Sequence, residues 1–107
     1  MLQILTNKGT LIMQKAYLHN IKYALDNGYQ VAVVCPEEGD HLQEPTTNYN
    51  LIKDAVESTG YAEIIWLSDV GDIEAIFVAQ LGLEPDETIM DFSCNAVAND
   101  WENAYFN

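Results

Sequence analysis

Apolar and polar residues alternate along this chain in two distinct periods, and the changes of period mark its elements. From Gln14 to Asn27 the apolar positions Tyr17, Leu18, Ile21, Ala24 and Leu25 recur at helical spacing, and Asp26-Asn27-Gly28 supplies a helix stop. Gln30 to Cys35 is a β-branched run closed by Pro36, the mark of a strand. Pro36, Gly39 and Pro45 then predict an exposed loop with room for a short edge strand. Thr47 or Asn48 is placed to cap a second helix, with Tyr49, Ile52, Ala55 and Val56 on its apolar face and Gly60 at its end.

Tyr61 to Leu67 and Ile73 to Leu81 read as two strands joined by the turn Ser68-Asp69-Val70-Gly71-Asp72, hence an antiparallel hairpin. In the second strand, alternation puts Ile73, Ala75, Phe77 and Ala79 on one face, with Glu74, Ile76, Val78 and Gln80 on the other. Gly82 to Asp91 reads as an acidic loop. Ser93 or Asn95 can cap a last helix whose stripe is Val97, Trp101, Ala104 and Tyr105, leaving Tyr105 and Phe106 as candidates for exposure. At the other terminus, Leu2 to Thr6 and Thr10 to Met13 around Asn7-Lys8-Gly9 suggest a hairpin or an early start of the first helix. The expected fold is α+β: one domain spanning 1–107, with an antiparallel sheet of three to five strands and two or three helices. Apolar residues on both faces of the hairpin strands further suggest that a second subunit covers one sheet face, as in a homodimer.

Charge changes this picture more than any motif does. The 107 residues hold seventeen acids and four lysines, a net of −13, and no arginine. Residues 1–53 carry four lysines against five acids, a net of −1, whereas residues 54–107 carry twelve acids and no base. Solubility alone does not require such one-sidedness. It argues against direct binding to nucleic acid or to an anionic membrane, both of which need a basic face. It points instead to a basic partner. Nine of these twelve acids fall into three groups: Asp69, Asp72 and Glu74 at the hairpin turn; Glu84, Asp86, Glu87 and Asp91 beyond it; Asp100 and Glu102 on the last helix. Brought together, these carboxylates would imitate a line of phosphates, since lysine and arginine forks accept either group. The plain alternative is a solvated acidic surface.

Other chemistry has less support in the residues. Asp69-x-x-Asp72-x-Glu74 lacks the spacing of a calcium loop. His19 and His41 have no partner at zinc-ligand spacing, and no cofactor motif is present. Cys35 and Cys94 form no Cys-x-x-Cys pair and read as reduced, mostly buried thiols. A thiol enzyme or ligand-binding domain built on one of them has no nucleophile elbow or phosphate loop to support it, so the expectation is a binding protein without catalytic residues. No run of eighteen apolar residues occurs, and the N-terminus does not read as a secretory signal, which makes the cytoplasm the expected compartment.

From Asn48 to Tyr105 the pattern Asn48-Tyr49-x-x-Ile52-x-x-Ala55-Val56-Glu57-Ser58, the hairpin, Gly82-Leu83-x-Pro85-Asp86-Glu87-Thr88-x-x-Asp91 and a final helix bearing Trp101 resembles small acidic accessory proteins of bacteriophages and other mobile elements. The resemblance covers a little over half the chain and contains no catalytic motif. It implies an anti-defence role, such as anti-restriction or anti-CRISPR inhibition, in the host cytoplasm. The partner would then be a nucleic-acid-binding host protein or complex. An immunity protein or antitoxin that neutralises a basic nuclease would use the same acidic surface.

Overall fold

The computed structural model describes residues 15–81, 88–93 and 95–106. Among them lie three helices, α1 (Ala16–Asp26), α2 (Tyr49–Thr59) and α3 (Ala96–Phe106), and five strands: β1 (Gln30–Val34), β2 (His41–Thr46), β3 (Tyr61–Leu67), β4 (Ile73–Gln80) and β5 (Thr88–Asp91). The strands form one antiparallel sheet in the order β2-β1-β3-β4-β5. The fold is α+β. The N-terminal hairpin or early helix suggested for residues 2–13 lies outside the described residues.

Alternation along the strands decides which side chains meet the helices. Val31 and Val33, then Ala62, Ile64 and Trp66, then Ala75, Phe77 and Ala79 form the inner row, all buried. Against it pack Tyr17, Ile21 and Ala24 of α1, Ile52 and Val56 of α2, and Ala98, Trp101 and Tyr105 of α3. The three helices therefore share one face of the sheet. Aromatic rings tie the layers together: Trp66 lies 4.9 Å from Phe77, and Phe77 lies 5.2 Å from Trp101 in an edge-on arrangement.

The helix ends follow from their residues. The Asn48 side chain accepts from the Leu51 N–H at 3.2 Å to start α2, and Gly60 adopts a left-handed φ of 73° to end it. At α3 the cap is Asn95, whose Oδ1 accepts from the Ala98 N–H at 3.1 Å.

Four expectations need correction. Residues 88–91 of the expected acidic loop form β5, pairing Thr88 with Gln80 through to Asp91 with Phe77. Tyr105 is buried rather than exposed, because its ring stacks on Trp101. The buried stripe of α3 is Ala98, Trp101 and Tyr105, with Val97 half-buried and Ala104 exposed. Finally, Ile73 does not join the inner row. A register shift pairs Trp66 with Ala75 but Leu67 with Ile73, so Ile73 turns to the outer face beside Leu67.

Topology also turns a division of the sequence into a division in space. β1 and β2, from the nearly neutral half, occupy one side of the sheet, whereas β3, β4 and β5, from the acidic half, occupy the other.

Candidate acidic interface

The β3–β4 turn is held by its own hydrogen bonds. Ser68 N–H donates to the Asp72 carbonyl at 2.8 Å, Gly71 N–H donates to the Ser68 carbonyl at 3.0 Å, and Asp72 N–H donates to Ser68 Oγ at 3.1 Å. Gly71 supplies the positive φ of 92° that closes the turn. From β1, the Gln30 side-chain amide donates to the Ser68 carbonyl at 3.1 Å. Asp69 and Asp72 are thus displayed from a fixed turn and are both exposed.

Glu74 follows at the start of β4, partly exposed, and Asp91 closes β5 opposite Phe77 in the middle of β4. The Asn95 side chain donates to the Glu74 carbonyl and so fastens the start of α3 to this end. Asp69, Asp72 and Glu74 are therefore brought together, whereas the backbone of Asp91 lies opposite Phe77, three residues or about 10 Å further along β4 than Glu74. Asp100 and Glu102 are not grouped with each other: they flank the buried Trp101 and leave α3 in different directions. Glu84, Asp86 and Glu87 lie outside the described residues. The flanking positions Leu81 and Thr88 sit at the far end of β4, about 23 Å from the turn at the usual strand rise.

No ion pair among the described residues neutralises Asp69, Asp72, Glu74, Asp100 or Glu102. Lys22 pairs with Asp26 at 3.5 Å within α1, and Lys53 pairs with Asp54 at 3.7 Å and Glu57 at 3.2 Å within α2. These cations are engaged on the helical layer.

Three apolar side chains at the acidic end escaped the sequence reading. Val70 at the turn tip is 78% exposed, Ile73 60% and Phe92 59%. Phe92 follows β5, and its N–H donates to the Ile76 carbonyl at 2.9 Å. Only the register of the hairpin reveals Ile73, since strict alternation assigns it to the core. The apolar residue within a five-residue turn was the available signal for Val70.

Elsewhere the chemistry is sparse. Cys35 follows β1 as a free, partly exposed thiol, and Cys94 lies outside the described residues. His41 Nδ1 is 3.0 Å from Glu44 on the exposed edge strand. His19 is the more constrained imidazole: its Nδ1 accepts from the Trp101 indole at 2.9 Å, and burial lowers its pKa below the ordinary histidine value. No group of three or more metal-ligating side chains occurs among the described residues. A cleft of about 360 Å³ is lined by Lys22, Leu25, Asp26 and Tyr49, and the Lys22–Asp26 pair offsets its two charges. Among the described residues, no helix is long and apolar enough to cross a membrane.

Comparison with protein-family models, curated proteins and solved structures returned no match.

Proposed function

We propose that this chain is an inhibitory binding protein whose acidic side occupies the nucleic-acid-binding surface of a basic partner, a bacterial defence protein or complex. The observation that carries the reading is the group of exposed Asp69 and Asp72 with partly exposed Glu74, displayed from one sheet end without a neutralising cation among the described residues. A carboxylate offers the same paired oxygens to a guanidinium or ammonium as a phosphate does. The fixed turn limits the ordering cost of contact, and the acidic surface accelerates encounter with a basic groove. Competition with DNA or RNA for that groove is the mechanism.

The test is capture from a lysate of bacteria carrying defence systems, using the immobilised full chain and eluting with salt and with competing DNA. The expected result is a nucleic-acid-binding protein released by both, and lost when Asp69→Lys, Asp72→Lys and Glu74→Lys are combined. Retention through high salt and excess DNA, or undiminished capture by the triple variant, overturns the mimicry mechanism.

A further inference from the structure

Among the described residues, the three most exposed large apolar side chains, Val70, Ile73 and Phe92, lie at or beside the acidic end of the sheet, a combination that a purely electrostatic mimic does not need. Cross-strand pairing places Leu67 beside Ile73, and the Phe92 N–H bond to Ile76 sets Phe92 alongside β4 on the same outer face. Ile73 and Ile76 are three residues apart, or about 10 Å along the strand. Val70 projects from the turn between Asp69 and Asp72. Isolated exposed apolar residues are ordinary on a protein surface; an acid-rimmed group at one end of a sheet marks an interaction site.

We infer that Val70, Ile73 and Phe92 form the apolar anchor of a docking surface for a protein whose complementary site is an apolar depression rimmed by lysine or arginine. This rests on the acidic-binder reading and adds to it that the partner is gripped by burial of apolar area, with the carboxylates setting orientation and encounter rate. Charge complementarity selects this occupant. In a symmetric pair of copies, the same patch would meet itself and bring Asp69, Asp72 and Glu74 against their own equivalents. Against a basic rim, the same acids are attracted. Interfaces of this kind place apolar anchors at the centre and charges at the margin.

The experiment titrates the isotope-labelled full chain with two peptides. One is an amphipathic helix of lysine and leucine with all leucines on one face; the other has the same length and charge, with serine in place of each leucine. The expected result is that the leucine peptide binds at least about tenfold more tightly, as burial of a few apolar side chains gives. The largest amide shifts should fall on residues 68–76 and 92. Combining Val70→Ser, Ile73→Ser and Phe92→Ser should remove that advantage while leaving the α1 amide shifts and the weaker binding of the serine peptide unchanged.

Equal binding of both peptides at this end overturns the apolar anchor and leaves the acidic reading standing. Binding of neither removes both. Two results on the free chain also overturn the proposal. One is sedimentation as a dimer with concentration-dependent shifts at residues 70, 73 and 92. The other is a set of proton contacts from residues 1–14 onto Ile73 and Phe92, which would make the chain its own occupant.

Discussion

The indole N–H of Trp101 in α3 donates to Nδ1 of His19 in α1 at 2.9 Å, joining the last helix to the first within the helical layer. Indole is a donor only, so Nδ1 must be unprotonated and any ring proton of the neutral form must sit on Nε2. The Tyr105 ring meets the imidazole edge-on at 5.0 Å and Tyr23 stacks at 6.4 Å, which adds to its desolvation.

This contact makes stability depend on pH. Burial holds the folded pKa of His19 below 6.5, so the unfolded chain binds the proton more readily. The His19 contribution is therefore complete above pH 6.5 and declines as pH falls below that value, levelling beneath the folded pKa. His19→Phe should lower stability by about 1–3 kcal/mol at neutral pH by stranding the Trp101 donor. It should also remove this part of the slope. Urea midpoints of both proteins across the range check the prediction.

Asn20 is fully buried and its Oδ1 accepts from the Trp66 indole at 3.1 Å. Asn20→Ala leaves that indole without its acceptor and should destabilise the fold by about 1–3 kcal/mol. In a Trp66→Phe background the loss should shrink, because the donor is gone. A double-mutant cycle from denaturant midpoints measures the coupling, expected at about 1 kcal/mol.

Glu57 of α2 accepts from the Tyr17 hydroxyl of α1 at 2.5 Å and from Lys53 at 3.2 Å. The Tyr17 bond, opposed by desolvation and helped by Lys53, holds its carboxyl below the ordinary value of 4.5. Its stabilisation is present above that value and is lost as pH falls through the lower folded pKa. Tyr17→Phe should raise the Glu57 pKa, read by a carboxyl NMR titration, and narrow the acid-side loss of stability.

Asn95 caps α3 and anchors it to the Glu74 carbonyl with the same side chain. Asn95→Ala should lower stability by about 1–2 kcal/mol. Amide hydrogen exchange should accelerate over residues 96–99, while α1 and α2 keep their protection.

Like charge collects on the β3–β5 side of the sheet, and screening should relieve the repulsion. Raising salt from about 10 mM to about 150 mM shortens the Debye length from roughly 30 Å to about 8 Å. The melting temperature should rise over that range, and less so in Asp69→Asn, Asp72→Asn. A flat salt response would mean that these acids are neutralised by a neighbour.

Helix and strand placement was legible because each depends on a local period and a local stop. Gly60 ends α2 and Pro36 follows β1, whatever the rest of the chain does. β5 was hidden because four residues in an acidic, proline-containing segment carry too little alternation to show a strand; pairing with β4 makes it one. Ile73 was misassigned for a related reason. Its face depends on a register shift against β3, and only the partner strand shows that shift. The polar contacts Asn20–Trp66 and His19–Trp101 were equally invisible, joining positions 46 and 82 residues apart.

By itself the sequence determined the net charge of −13, its concentration after residue 53 and the order of most elements. These are properties of composition and of neighbours along the chain. Tertiary structure decided that the strands of the two halves lie on opposite sides of one sheet, and that Asp69, Asp72 and Glu74 share the β3–β4 turn region with the exposed Val70 and Ile73, with Phe92 next along β4. Strand order and register set those relations through hydrogen bonds and side-chain packing between distant segments, and no local period encodes them.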